Sequence, residues 1–150
     1  MNNRSISERA DFLSRRRARM LPMLAILYLI QQTTYFRSTA NPHPRPVDHV
    51  WVSAWVVLSL LILSGLATKG FWLQPKSVRD LIDDESSRAN RLEGLRIGFI
   101  FAGLTAIVLY FIDQFSPMTA REAIHIILSV GLGAALMRFG MLERRAHQDG

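Results

Sequence analysis

The side chains best suited to chemistry in this sequence are a few polar residues inside or beside long apolar stretches. His125 lies within the uncharged run 123–137, and Glu122 comes one helical turn before it. Gln31 and Gln32 lie toward the end of an earlier apolar run. Imidazole and carboxylate groups suit divalent metals, and polar residues inside a membrane often line a transport path. These four residues are therefore the candidate polar site.

Ordinary structural roles compete with chemistry at these positions. Thr119 and Glu122 have the spacing of a capping box, in which two side chains close the start of a helix. His125 can hydrogen-bond to a neighbouring helix, and no His-Glu-x-x-His spacing is present. No serine, lysine or paired-carboxylate arrangement suggests a nucleophile or a general base. The sequence therefore predicts no enzyme, no catalytic residue, no bound metal and no other cofactor.

Four long uncharged stretches must position these residues, and the longest reads VWVSAWVVLSLLILSGLAT within 50–68. A bilayer-spanning helix needs about 20 mostly apolar residues, and the shorter runs reach that length if flanking arginines extend to the membrane surface. A soluble bundle would need a polar face on each helix, which this stretch lacks. We predict an all-α integral membrane bundle of four transmembrane helices. The predicted spans are about 20–36, 50–69, 95–112 and 120–138.

The distribution of charge predicts how the bundle is oriented. The net charge of +6 comes from 18 Lys and Arg against 12 Asp and Glu. Fifteen of the basic residues lie before the first span, in the region from Lys69 to Arg96, or from Arg138 onward. Because Lys and Arg concentrate on the cytoplasmic side, both termini are predicted to be cytoplasmic. The lipid bilayer, with its anionic headgroups, is the expected partner of this charge, and nucleic acid is not.

Two charged segments flank the transmembrane domain 20–138, and a third lies within it between the second and third spans. Residues 1–19 are predicted to form a basic amphipathic segment on the inner leaflet, with Pro22 in the first turn of the helix that follows. Residues 76–94 are predicted to form a charged helix that continues into the third span and extends it into the cytoplasm. Residues 139–150 form a cytoplasmic tail.

Small residues recur every four positions in the stretch NRLEGLRIGFIFAGLTA. Helices in lipid associate through close backbone approach and dispersion, so such a stripe predicts a packing face. Packing of helix three on helix four within the chain and association of two copies into a homo-oligomer both fit the pattern. The candidate packing residues are Gly94, Gly98, Ala102, Ala106, Gly131 and Gly133.

The charged segment RDLIDDESSRANRLEGLR offers a surface for a cytoplasmic protein. Its acidic residues precede its basic ones, as the helix dipole favours, and Asp84 and Arg88 are spaced for an ion pair. A solvated helix that balances its own charges is the competing interpretation. The candidate partner residues are Asp80, Asp83, Asp84, Glu85, Arg88 and Arg91.

The stretch LIDDESSRANRLEGLRIGF, together with MRFGMLERRA, resembles small uncharacterised four-helix bacterial membrane proteins with an Asp-Glu pair, a spaced Arg and a Gly-containing span. The resemblance implies an inner-membrane location and, for some similar proteins, a cytoplasmic regulatory partner. It carries over no catalytic residue. The sequence thus favours a non-enzymatic accessory or regulatory membrane protein. The alternative is a small transporter or channel-like oligomer with a polar path near Gln31, Gln32 and His125.

Overall fold

The computed structural model describes residues 6–39, 46–68 and 85–146, and four helices account for nearly all of them. Three of these helices, α2 to α4, are long and apolar enough to cross a membrane. The all-α prediction is therefore confirmed, and so is the presence of membrane-length apolar helices. The helices are α1 (Ile6–Thr39), α2 (Pro46–Ala67), α3 (Glu85–Asp113) and α4 (Ala120–Ala146).

Helix α1 differs from the sequence prediction. The basic segment and the first apolar run form one continuous helix of 34 residues, with Pro22 in its interior instead of its first turn. Within the described residues, α1 is not among the helices apolar enough to span a membrane. The polar residues Gln31 and Gln32 shorten its apolar run, which explains this result. The first of the four predicted spans therefore stays a prediction.

Helices α3 and α4 are both longer than the hydrocarbon core of a membrane is thick. Their 29 and 27 residues correspond to about 43 and 40 Å, against about 30 Å for the core. The surplus is charged in both helices, at residues 85–96 of α3 and 138–145 of α4. We call this end of the bundle the charged end. The predicted tail is therefore helical to Ala146, and the predicted charged helix before Glu85 lies outside the described residues.

The opposite end, which we call the turn end, joins α3 to α4 through residues 114–119. The Asp113 carboxylate accepts a hydrogen bond from the Met118 backbone N–H at 2.7 Å. The Thr119 backbone N–H donates to the Glu122 carboxylate at 2.9 Å, and the Glu122 N–H donates back to the Thr119 hydroxyl at 3.3 Å. This is the reciprocal geometry of a capping box, and it fixes where α4 begins.

Helix α4 is the central element, because half of the residues in its most apolar stretch are buried, against 11% of those in the corresponding stretch of α3. One face of α4 packs on α3. A Cβ added at Gly98 would lie 2.6 Å from the Gly131 carbonyl oxygen, and one added at Gly94 would lie 2.9 Å from the Ala135 carbonyl oxygen. The same interface brings Ala102 against Gly131. Only residues without bulky side chains allow two backbones to approach this closely.

Another face of α4 packs on α1. A Cβ at Gly133 would lie 2.9 Å from a methyl carbon of Leu29, and one at Gly140 would lie 2.6 Å from the Pro22 ring. Gly131 and Gly133, which the sequence groups together, therefore serve two different interfaces. Pro22 is accommodated inside α1 where Gly140 leaves room for its ring.

Candidate functional site

Buried polar side chains gather where α1 and α2 meet and where α2 meets α4. The Tyr28 side chain is fully buried, and its hydroxyl lies 2.8 Å from the Ser59 hydroxyl, joining α1 to α2. On α4, the His125 imidazole packs on the Trp55 indole with ring centroids 4.0 Å apart and planes tilted by 32°. We call this group the polar cluster. Its members are Tyr28, Gln32, Trp55, Ser59, His125 and Ser129, all of them buried.

Two members of the polar cluster, Gln32 and Ser129, hydrogen-bond to the backbone of their own helices. Gln32 lies one turn beyond Tyr28 and donates from Nε2 to the Tyr28 carbonyl oxygen at 2.9 Å. Ser129 lies one turn beyond His125 and donates to its carbonyl oxygen at 2.6 Å. These bonds return polar hydrogens to the backbone of the same helix, as buried hydroxyl and amide groups commonly do. Burial of the cluster in an apolar bundle therefore costs only a moderate amount of folding free energy.

The polar cluster includes a buried donor and a buried acceptor without hydrogen-bond partners among the described residues. They are the Trp55 indole Nε1 and the Gln32 amide oxygen, both buried. A bound water or a small polar group would satisfy such atoms. The complete burial of Tyr28, however, indicates a packed interface at this level rather than an open path. The arrangement favours a role of the cluster in holding α1, α2 and α4 together.

The candidate polar residues predicted from sequence thus separate into different places. Gln32 and His125 belong to the polar cluster, and Gln31 beside it is half-buried. The Glu122 carboxylate instead binds Thr119 in the capping box at the turn end. Among the side chains that the structure describes, no three His, Asp or Glu residues lie close enough together to hold a metal ion.

A second group of polar contacts fixes the charged end of α3. The Arg91 guanidinium donates to the Thr68 carbonyl oxygen, just past the end of α2, at 2.5 Å. The Asn90 amide donates to the Glu143 carboxylate of α4 at 3.3 Å. Cations favour the C-terminal end of a helix, where unpaired carbonyl groups carry partial negative charge, so the Arg91 contact also caps α2.

Glu93 adds a charged contact between α3 and α4 at the same end. Its carboxylate lies 3.7 Å from the Arg138 guanidinium and 3.6 Å from that of Arg96 on its own helix. All three side chains are partly exposed, so such pairs add little stability by themselves. Together with the Asn90 contact, they set the register of α3 against α4 beyond the apolar spans.

The six candidate partner residues have different positions in this arrangement. Arg91 is used inside the protein, whereas Glu85 and Arg88 are exposed on the surface of α3. Asp80, Asp83 and Asp84 lie outside the described residues. The described part of the proposed surface is therefore Glu85 and Arg88, held on a helix that is fixed to both α2 and α4.

Several residues that organise the polar cluster were not predicted from the sequence. Tyr28, Trp55 and Ser59 occur in apolar runs and look like ordinary membrane-helix residues. One signal was available, since Trp55 and Ser59 are one helical turn apart and Tyr28 and Gln32 are as well. That spacing puts polar atoms on one side of each helix. It does not say which helices meet.

Comparisons with known proteins add no assignment, because no protein-family model, curated protein or solved structure matches the chain. The function is therefore argued from the residues of this chain.

Proposed function

We propose that this protein is a non-enzymatic accessory membrane protein that binds another protein through its charged end. The observation that carries the proposal is the contact set of Asn90, Arg91 and Glu93, which attaches the charged part of α3 to α2 and α4. A helix held in this way presents its remaining side chains at fixed positions. Preorganisation of this kind lowers the entropy cost of binding.

The exposed charges on this helix supply the recognition chemistry. Glu85 and Arg88 are exposed on α3, whereas the carboxylates of Glu93 on α3 and Glu143 on α4 already have partners within the bundle. Their charges are therefore available to groups outside the protein. Complementary charges across an interface steer association and reject wrong partners. The expected partner is a protein with both acidic and basic groups on its docking surface.

The proposed location is a bacterial inner membrane, with both termini and the charged end in the cytoplasm. Support comes from the basic residues, since the charged end holds the arginines that precede Met20 in α1, those of α3 and those at the end of α4, whereas Arg121 lies at the turn end. Translocation is disfavoured for short segments rich in Lys and Arg. This orientation makes the surface of Glu85 and Arg88 accessible to cytoplasmic proteins.

Reporter fusions test this orientation. Fusions after residues 44 and 116 are expected to report the outer compartment, and fusions after residues 80 and 150 the cytoplasm. The physical reason is the excess of Lys and Arg on the proposed cytoplasmic side. Paired alkaline phosphatase and fluorescent-protein fusions at each position provide the measurement. An outer-compartment signal at residue 80 would contradict the proposed orientation.

The partner proposal predicts that reversal of charge at one exposed position abolishes binding. Arg88→Glu is expected to reduce recovery of the partner by about tenfold or more, because like charges facing each other across an interface cost several kcal/mol. The measurement is site-specific photo-crosslinking in cells from residue 85, followed by quantification of the adduct. Arg88 is exposed, so insertion and folding should be unaffected.

Two controls give this experiment its meaning. Arg121→Glu makes the same change at an exposed arginine of the turn end and should leave the adduct unchanged. A crosslinker at Phe99, which is 81% exposed on the apolar part of α3, should give no such adduct. Equal adduct yields from Arg88→Glu and the unsubstituted protein would remove the case for this docking surface.

A further inference from the structure

Five exposed arginines gather at the charged end where α1 and α4 leave the apolar part of the bundle. We call this group the arginine layer. The ion pairs at Glu93 involve none of these residues. The layer consists of Arg15, Arg16 and Arg19 of α1 and Arg144 and Arg145 of α4.

The packing of α1 on α4 places these arginines at one depth along the bundle. Leu29 of α1 contacts Gly133 of α4. Pro22, seven residues earlier in α1, contacts Gly140, seven residues later in α4. The helices are therefore antiparallel in this region. Continuing the same register puts Arg19 level with Glu143 and Arg16 level with Ala146. Arginines from two separate helices thus share one level.

Exposed apolar side chains lie directly beside the arginine layer. Met20 and Met23 of α1 are 52% and 63% exposed, and Met141 of α4 is 48% exposed. A surface that changes from exposed methionine to exposed arginine within one or two turns matches the boundary between acyl chains and headgroups.

The layer carries an uncompensated positive charge. Residues 15–19 and 143–146 contain six arginines and one glutamate, a net charge of +5. That glutamate, Glu143, is buried and accepts a hydrogen bond from Asn90 of α3. The guanidinium group matches phosphate geometry through two parallel N–H···O bonds, and several of them can share one phosphate.

We propose that the arginine layer is a binding site for the phosphate headgroup of an anionic phospholipid, whose acyl chains lie along Met20, Met23 and Met141. The site needs α4 to cross the membrane, but it does not depend on the protein partner proposed above. Free phosphate offers the same oxygen atoms without acyl chains. A lipid is favoured because the apolar contact surface adjoins the charges.

Native mass spectrometry of the full-length protein, released from nanodiscs of equal phosphatidylglycerol and phosphatidylcholine, tests the site. The protein is expected to retain phosphatidylglycerol in preference to phosphatidylcholine. Substitution of all five arginines by glutamine should remove this preference. Each single substitution should lower the retention of phosphatidylglycerol relative to phosphatidylcholine roughly fivefold. Salt at about 1 M should weaken retention in the unsubstituted protein, because the Debye length falls to about 3 Å.

A control variant with Arg88, Arg96 and Arg121 changed to glutamine should keep the lipid preference, since these exposed arginines lie outside the layer. Circular dichroism of both variants in phosphatidylcholine reports whether each is folded, and single Arg19→Gln and Arg144→Gln substitutions give graded losses in a folded protein. Equal retention of both lipids, or an unchanged preference after neutralisation, would overturn the proposal. Displacement of the lipid by millimolar inorganic phosphate would also overturn it, because the acyl contacts would then contribute nothing.

Discussion

Substitution of Gly98 by leucine is expected to destroy the packing of α3 on α4. Even a single added carbon at Gly98 would lie 2.6 Å from the Gly131 carbonyl oxygen and 2.7 Å from the Ala135 Cβ. The first of these atoms is backbone, so relief requires movement of a whole helix. We expect Gly98→Ala to reduce the free energy of unfolding by about 1–3 kcal/mol and Gly98→Leu to reduce it further. Reversible unfolding in mixed detergent micelles, followed by circular dichroism, measures both.

Gly103 is the matched control, because it lies on the same helix and a Cβ added there meets no atom within 4 Å. Gly103→Ala should be neutral or stabilising by up to about 1 kcal/mol, since alanine favours helices more than glycine does. Gly103→Leu should insert and fold normally. If Gly98→Ala dissociated an oligomer and left the stability of each chain unchanged, the stripe would join copies instead of α3 and α4.

The sequence contained enough information for the helices and for part of their packing. Charges divide the chain into apolar runs of membrane length, and the four-residue spacing of Gly94, Gly98 and Ala102 indicates one close-packing side. The structure places that side against α4 of the same chain. Within this chain, Gly94, Gly98 and Ala102 of the stripe therefore pack on α4.

The partners of each interface could not be read from the sequence. Gly131 and Gly133 are two residues apart, and nothing in their spacing assigns one to α3 and the other to α1. Pro22 is another example, because its position alone predicts the start of a helix. Its position inside α1 is explained by Gly140 of α4, which lies against the proline ring and has no side chain to collide with it. Such assignments depend on distant contacts that local propensity does not encode.

At the charged end too, the sequence predicts the local helix but not the contacts between residues far apart in the chain. The order of acidic and basic residues predicts a stable helix, but it cannot show that Arg91 binds the Thr68 carbonyl oxygen or that Asn90 binds Glu143. These contacts change the functional hypothesis. They remove Arg91 from the candidate docking surface and leave Glu85 and Arg88 on a helix that is fixed in position.

Trp55→Ala is expected to destabilise the bundle strongly through the polar cluster. The Trp55 side chain is 8% exposed, and its ring packs on His125 of α4. Removal of a buried large aromatic side chain leaves a cavity and costs about 3–5 kcal/mol. Trp55→Phe keeps much of the ring and removes an indole N–H that has no partner among the described residues, so its cost should be far smaller.

Trp51 provides the matched control, one turn earlier on α2 and 48% exposed. Trp51→Ala should cost less than about 1 kcal/mol, because surface substitutions away from packed features have small effects. Unfolding of the three variants in the same micelles gives the comparison. A cost for Trp55→Ala as small as that for Trp51→Ala would mean that the cluster does not hold the helices together. Gln32 and His125 would then be better explained as parts of a polar path, and the transporter or channel interpretation would replace the packing role argued for the cluster.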